Sequence, residues 1–155
     1  MRIYLSNKMS GIPYFNAPWF DRVSGQLLAL PGVREVFNPA EEDRRRGFDP
    51  MNCPGGTFEE ARAAGFDAAD ALAADWLWIA KTADCVVVGP NWRDSPGAIS
   101  EVACIQARRK PAFDLPTFLH AHNQRYLPQL ALPPIMEMYE HPRFAVNPWK
   151  PWEIV

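Results

Sequence analysis

The sequence has neither a strong charge imbalance nor a long hydrophobic run, and both absences limit its partners. Its 16 Lys and Arg nearly balance its 18 Asp and Glu, for a formal net charge of -2 over 155 residues. So small a charge provides no electrostatic footprint for duplex nucleic acid or an anionic membrane. The apolar runs are interrupted by charge well short of the ~20 residues that a transmembrane helix requires. We therefore expect no duplex nucleic acid and no membrane among the partners, whereas a small anion remains compatible with a locally positive site.

Cysteine and histidine are scarce, and neither forms a metal-binding pattern. Cys53, Cys85 and Cys104 are odd in number and widely spaced. Cys85 and Cys104 lie in apolar segments, so we interpret them as reduced core thiols. His120 and His122 have no further ligand candidates beside them, so no metal site is predicted. The N-terminal segment shows no apolar signal core and no small-residue cleavage site, and the expected location is the cytoplasm.

What the sequence does contain is an alternation of short apolar runs and segments with helical spacing. The β-type runs lie at residues 2–5, 33–37, 85–88 and 111–115. The helical patterns lie at residues 15–30, 58–82 and 95–110. The intervening residues 41–56 are charged and then rich in Pro and Gly, so they are predicted to form a surface loop. The alternation predicts an α/β domain, a Rossmann-like or flavodoxin-like three-layer sandwich with a mostly parallel sheet of about four to five strands.

The length suits one domain with its own core, which we place at residues 1–115. Residues 116–155 are a Pro- and aromatic-rich C-terminal extension. Little regular structure is expected in it, apart from a short helix before His141. The extension packs either on the domain or on a neighbouring subunit, and the aromatic segment 144–152 is the candidate for such an interface.

Two carboxylates occupy helix positions with apolar surroundings. The residues three and four positions from Glu101 are Gly97, Ala98, Cys104 and Ile105. Those three and four positions from Asp75 are Ala71, Leu72, Trp78 and Ile79. An ionised carboxylate is costly to bury, and functional sites are where that cost is tolerated. Two such groups near one sheet edge suggest a nucleophile and an acid/base partner. The alternatives are a solvent-reaching or Arg-paired Glu101 and a structural, hydrogen-bonded Asp75. Asp84, which opens the third strand, is assigned a structural role.

Five short motifs occur in an order typical of one superfamily. They are MRIYLS at the start, MSG in the first loop, NPAE after the second strand, ADCVVV as the third strand and SPGAISE at the last helix. Over roughly residues 1–112 the chain resembles the nucleoside 2-deoxyribosyltransferase-like superfamily, which includes the 2'-deoxynucleoside 5'-monophosphate N-glycosidases. The resemblance implies no cofactor, and it implies a homodimer or a larger homo-oligomer.

The resemblance also implies roles for individual residues. Glu101, at the end of the last motif, corresponds to the glutamate that attacks C1' of the sugar and holds a glycosyl intermediate. Ser95 stands where members that act on nucleotides carry a serine that helps to hold the 5'-phosphate, whereas nucleoside transferases tend to carry aspartate. A helix N-terminus at Ser95, Gly97 and Ala98 is a suitable phosphate seat on physical grounds as well. The alternative is that Ser95 only caps its helix.

Further substrate-binding candidates lie in and near the first loop. They are Tyr4, Ser6, Lys8, Met9, Gly11 and Asn16. Trp19 is a further candidate for a wall of the base pocket, and Arg93 for added positive charge.

Two departures from the superfamily pattern affect these assignments. Asn7 and Lys8 replace a glycine and a proline of the first loop, and Lys8 can compensate by its charge. The helical aspartate of the superfamily lies eight residues before the strand aspartate, but eight before Asp84 is Trp76. Because one residue rotates a helical side chain by ~100°, Asp75 fits only if its helix ends with an extra residue or a bulge.

The expected function is therefore N-glycosidic cleavage of a nucleoside 5'-monophosphate, most directly a deoxynucleotide, with Glu101 as the nucleophile and Asp75 as the acid/base. Two alternatives stay open at this point. One is base exchange between deoxynucleosides, and the other is a nucleotide-binding sensor without catalysis. The sequence does not name the base.

Overall fold

The structure is a computed structural model and describes residues 1–122 and 131–135. Four parallel strands form one sheet in the order β2-β1-β3-β4. They are β1 (Arg2–Ser6), β2 (Glu35–Phe37), β3 (Cys85–Val88) and β4 (Ala112–Asp114). β3 is buried along its whole length, which agrees with its uninterrupted β-branched sequence. The predicted α/β class with a parallel sheet is confirmed.

Helices cover both faces of this sheet. They are α1 (Ala17–Leu28), α2 (Pro39–Arg45), α3 (Phe58–Ala63), α4 (Ala68–Lys81), α5 (Pro96–Ala107) and α6 (Leu115–Ala121). Side chains of β1 alternate between the two faces, because successive residues of a strand point to opposite sides. Ile3 and Leu5 pack with α1 and α6, whereas Tyr4 packs with α4 and α5. This alternation turns Tyr4 towards the layer that contains Asp75 and Glu101.

The segment predicted as a surface loop contains a helix, and that prediction is wrong. Asn38 and Pro39 looked like the end of a strand, but they are the N-cap and the first residue of α2. The Asn38 side chain accepts hydrogen bonds from the amides of Ala40 and Glu41, at 3.0 and 3.4 Å. Acidic residues in its first turn and arginines in its last turn favour the same helix through its dipole. A short turn of 3-10 helix follows at Pro50–Asn52.

The single long helix predicted over residues 58–82 is two helices. Gly65 has a φ of 80°, a left-handed conformation in which glycine has no steric cost. Asp67 then starts α4 by accepting hydrogen bonds from the amides of Ala69 and Asp70, both at 3.0 Å. Apolar periodicity continues across this break in the sequence, which is why the pattern predicted one helix.

The start of the C-terminal extension, for which little regular structure was predicted, forms the helix α6. Asp114 caps this helix by accepting a hydrogen bond from the Thr117 amide at 2.9 Å. Residues 131–135 return to the domain, where the Leu132 amide donates to the Ala112 carbonyl at 2.7 Å. Ile135 is buried in the core beside α5. The predicted short helix before His141 and the aromatic segment 144–152 lie outside the described residues. Within the described ranges, no helix is long and apolar enough to span a membrane.

Candidate active site

A cavity of about 330 Å³ opens at the carboxyl ends of the strands. Residues from the segments that follow β1, β2 and β3 line it together with α4 and α5, as expected for a ligand site on an open parallel sheet. The lining residues are Asn7, Met9, Ser10, Phe15, Pro39, Asp43, Phe48, Phe58, Phe66, Ala68, Ala71, Leu72, Asp75, Ser95, Pro96, Gly97, Ala98 and Glu101. The cavity wall therefore contains three carboxyl groups, four phenylalanine side chains and the start of α5.

Glu101 is held by two hydroxyl groups of β1. Its side chain is only 7% exposed. Its Oε1 accepts a hydrogen bond from the Tyr4 hydroxyl at 3.0 Å, and its Oε2 accepts one from the Ser6 hydroxyl at 2.5 Å. Burial raises the pKa of Glu101 to about 7, against the lowering effect of these two bonds. Each oxygen retains a free lone pair, so the carboxylate is oriented without being blocked.

Asp75 lines the same cavity from α4. Burial, then the negative charges of Glu101 and Asp43, raise its pKa to about 8, while the Tyr4 hydroxyl lowers it. Burial also raises the pKa of Tyr4 well above its usual value, followed by the charges of Glu101 and Asp75. Tyr4 therefore stays a hydrogen-bond donor at neutral pH. The two carboxyl groups proposed from the sequence face one cavity, and burial raises the pKa of both.

The end of α4 explains how Asp75, nine residues before Asp84, reaches this cavity. The amides of Thr82 and Ala83 both donate to the Trp78 carbonyl, at 2.8 and 3.2 Å. A bond across five residues widens the last turn, which accommodates the extra residue that the spacing required. Trp76, the alternative position, is 42% exposed and donates to the Ser100 hydroxyl at 3.1 Å.

The start of α5 forms one wall of the cavity. The Ser95 hydroxyl accepts a hydrogen bond from the Ala98 amide at 3.3 Å, so Ser95 is the N-cap residue. Ser95, Gly97 and Ala98 all line the cavity, and the partial positive charge of the helix N-terminus is directed there. The Arg93 guanidinium lies over the Trp92 ring, 4.7 Å from its centroid.

The first loop contributes fewer cavity residues than the sequence suggested. Met9 lines the cavity, whereas Lys8, Gly11 and Asn16 do not. These three instead shape the loop: the Asn16 amide donates to the Lys8 carbonyl at 2.9 Å, and the Gly11 amide donates to the Gly56 carbonyl at 2.9 Å. Tyr4 and Ser6 act on the site through Glu101 rather than on the cavity surface. Trp19 also lies outside the lining.

Asn7 joins two loops of the site. Its Oδ1 accepts hydrogen bonds from the amides of Lys8 and Asn91, at 2.9 and 3.2 Å. The segment after β1 is thereby tied to the segment after β3. A Cβ at Gly89 would lie 2.3 Å from Asn7 Nδ2, so Gly89 is required where these two loops meet.

Asp43 and the four phenylalanines of the cavity wall were missed by the sequence argument. Asp43 was hidden because residues 41–56 were treated as a loop, although the Asn38 cap, Pro39 and the acidic first turn are recognisable helix signals. Phe15 lies in a left-handed turn in which Tyr14, Phe15 and Asn16 have φ of 57°, 50° and 61°. No local pattern in the sequence indicates such a turn.

No group of three or more potential metal-ligating side chains comes together within residues 1–122 and 131–135. Asp84 lies away from the cavity and has a structural environment. It accepts hydrogen bonds from the Arg2 guanidinium at 3.3 Å, the Arg2 backbone amide at 2.8 Å and the Lys110 ammonium at 3.4 Å. Despite its partial burial, these contacts lower the pKa of Asp84 to about 2.

Comparison with known proteins identifies one family. Residues 1–113, which include every residue that lines the cavity, match the domain of unknown function DUF4406. Neither curated proteins nor solved structures give a match to the chain. Since the match extends over well more than half of the 155 residues, the chain belongs to the DUF4406 family.

Proposed function

We propose that this protein hydrolyses the N-glycosidic bond of a nucleoside 5'-monophosphate, with a deoxynucleotide as the expected substrate, through a glycosyl–Glu101 intermediate. One observation carries the proposal: two carboxyl groups with raised pKa values, Glu101 buried and Asp75 half-buried, face the same cavity beside the N-terminus of α5. The order of sequence motifs shared with the nucleoside 2-deoxyribosyltransferase-like superfamily supports the same chemistry.

The different environments of the two carboxyl groups assign their roles. Glu101 accepts hydrogen bonds from two hydroxyl groups, which favour its ionised form, and it acts as the nucleophile. Asp75 keeps its proton to higher pH and is the general acid. Such a separation of pKa values within one site is how a pair of carboxyl groups divides acid and nucleophile roles.

The reaction then proceeds in two steps, as in retaining glycosidases. A Glu101 oxygen forms a bond to C1' while the C1'–N bond breaks, its electron pair stays with the base, and the base nitrogen takes the proton of Asp75. In the second step, ionised Asp75 accepts a proton from water, the water oxygen bonds to C1', and the C1'–Glu101 bond breaks. The products are free base and sugar phosphate, and both carboxyl groups return to their initial states.

The start of α5 supports phosphate recognition. Ser95 and the backbone of Gly97 and Ala98 line the cavity, and a helix N-terminus favours an anion through its free N–H groups and its dipole. Ser95 in place of an aspartate also disfavours free nucleosides as substrates, because an aspartate would repel a phosphate and suits a 5'-hydroxyl instead.

The test is incubation of the purified protein with each deoxynucleoside monophosphate, the matching ribonucleotides and the free nucleosides, followed by chromatography of the products. Release of base from a deoxynucleotide, with little release from the nucleoside, is the expected result. Release of base only in the presence of a second, acceptor base would identify a transferase. No release under any of these conditions would refute the proposal and favour a nucleotide-binding sensor.

A further inference from the structure

Asp43 is a buried carboxyl group that the proposed reaction does not use. It lies on α2, is only 6% exposed and lines the cavity. Neither of its oxygens accepts a hydrogen bond from any residue within 1–122 and 131–135. Its carboxyl oxygens are not among the enclosed side-chain atoms that lack a partner, so they are accessible from the cavity, where a group of a ligand can donate a hydrogen bond to them.

The nearby arginines do not supply this partner. Arg44 donates two hydrogen bonds to Asp21, at 2.9 and 2.8 Å. Arg46 donates to Asp70 at 3.0 Å. Both guanidinium groups are thus directed away from the cavity, and they only moderate the effect of burial, which raises the pKa of Asp43 to about 7. α2 therefore places the Asp43 carboxyl group in the cavity wall, whereas Arg44 and Arg46 do not line the cavity and bind carboxylates elsewhere.

The surroundings of Asp43 suit a flat aromatic ligand. Phe15 and Phe48 are in edge contact, with ring centroids 5.9 Å apart, and Phe48 and Phe66 lie 4.4 Å apart. All three line the cavity, as does the exposed Phe58. Apolar and aromatic walls with a few polar groups are typical of small-molecule sites, where the polar groups determine orientation and specificity. Asp43 is the polar group that this aromatic part of the cavity offers.

We propose that Asp43 recognises the nucleobase edge and selects bases that carry an exocyclic amino group over their keto counterparts. This inference rests on the proposed function, because it assumes that the ligand of the cavity is a nucleotide. An ionised carboxylate only accepts hydrogen bonds, and a protonated carboxyl group still has one acceptor oxygen. An amino group therefore finds an acceptor in either state, whereas a keto oxygen finds a donor only when Asp43 is protonated. Asp and Glu accept from a base amino group in the same way in nucleic-acid recognition.

Two pairs of nucleotides test the selection. dCMP and dUMP differ in an amino against a keto group at C4 and in an acceptor against an N–H at N3, and dAMP and dIMP differ in the same way at C6 and N1. Calorimetric titration of the Glu101→Gln protein measures their binding without turnover. For whichever ring size the cavity accepts, we expect the amino member to bind about 10-fold more tightly. The Asp43→Asn substitution in the same background should remove most of this preference, because a carboxamide both donates and accepts.

The Glu42→Gln substitution is the matched control. It removes one carboxylate from the same helix, but Glu42 does not line this cavity, so the amino preference should persist. An equal affinity for both members of a pair, before any substitution of Asp43, would overturn the inference. So would an amino preference that Asp43→Asn leaves unchanged.

The outcomes also separate this inference from the proposed function. Amino-selective binding that depends on Asp43, in a protein whose wild type releases no base, supports the recognition site and refutes the glycosidase. Base release by the wild type, with an Asp43-independent preference, supports the glycosidase and refutes the recognition site. Absence of binding by all four nucleotides refutes the recognition site, whereas the glycosidase is refuted only if the wild type releases base from none of the nucleotides tested for the proposed function.

Discussion

The cavity contains two carboxyl groups that are equally buried and differently supported: Glu101 lies beside β1 and Asp43 beside Phe48, and we call their surroundings the Glu101 end and the Asp43 end. Glu101 is 7% exposed and Asp43 is 6% exposed. Glu101 accepts a hydrogen bond on each oxygen from β1, a central strand of the sheet. Asp43 lies on a helix of seven residues and accepts none within the described ranges. Burial alone therefore does not distinguish a positioned reactive group from a group that awaits a ligand, but hydrogen bonding does.

This difference has an energetic consequence. A hydrogen bond to an ionised group is worth about 1.5–3 kcal/mol, so the two hydroxyl groups offset part of the cost of burying Glu101 as an anion. No residue of the described ranges offers Asp43 such a bond, and in the inference made above the ligand supplies it. In the proposed reaction the Glu101 end is organised before the substrate arrives, whereas in the proposed recognition site the Asp43 end is completed by the ligand.

Glu101→Gln should produce the largest effect, because it removes the nucleophile from the organised end. We expect turnover to fall by at least roughly 10⁴-fold, with the thermal midpoint and nucleotide binding little changed. Steady-state assay of base release, together with thermal denaturation, measures both quantities. If the Glu101→Gln protein turned over near the wild-type rate, Glu101 would not be the nucleophile, and its hydrogen bonds would no longer mark a reactive group.

Asp75→Asn should lower turnover by about 10²–10³-fold, the usual contribution of a general acid. With wild type, the rate requires ionised Glu101 and protonated Asp75, so it should rise with pH through about 7 and fall through about 8. Asn cannot lose a proton in this range, so the descending limb should disappear. The pH profile of kcat/KM measures this, and persistence of the same descending limb in Asp75→Asn would assign it to another group.

The sequence indicated the carboxyl groups of the Glu101 end, but it did not indicate Asp43. Glu101 and Asp75 were found because each interrupts an apolar stretch, and the strands were found because period-2 and β-branched runs are local signals. Asp43 was missed because Asn38-Pro39 is compatible both with a strand end and with a helix start. The Asn38 cap, Pro39 and the acidic first turn favoured the helix, but the strand-end interpretation was preferred because a strand ends directly before them.

Phe15 was unpredictable for a different reason. Its left-handed turn is held by contacts with distant residues: the Tyr14 amide donates to the Cys53 carbonyl at 3.1 Å. A Cβ at Gly56 would lie 1.8 Å from the Ile12 carbonyl oxygen, so only glycine allows this approach. Three consecutive left-handed residues are unfavourable in isolation, and long-range structure compensates for them.

Asp43→Asn should stabilise the unliganded protein at neutral and alkaline pH. The folded-state pKa of Asp43 is about 7 against an ordinary value of 3.8, so stability is fully present below about pH 4 and is lost as the pH rises through 7. Asn carries no charge, so we expect a gain of about 2 kcal/mol at pH 8, reduced from the full linkage value because the amide is buried as well.

Urea denaturation at pH 8 and at pH 4 measures this gain, which should vanish at the lower pH. Glu42→Gln, which removes a charge without a comparable burial, should show no such gain. A stability of Asp43→Asn below that of wild type at pH 8 would mean that Asp43 has a stabilising partner, and the contrast with Glu101 would fail.

Tyr4→Phe should produce the smallest effect. It also sharpens the comparison, because it removes one of the two hydrogen bonds that distinguish Glu101 from Asp43. Loss of the hydroxyl removes the donor to Oε1 and leaves the Ser6 bond intact. Since that donor favours the ionised form and lowers the pKa of Glu101, the ascending limb of the pH profile should move to higher pH. We expect turnover at pH 7 to fall about 10-fold, in line with the loss of one hydrogen bond to a charged group, and to recover partly at pH 8.

Tyr14→Phe, at a tyrosine that does not line the cavity, is the control. A Tyr4→Phe profile that is lower at every pH without moving would show that Tyr4 packs the site but does not set the ionisation of Glu101.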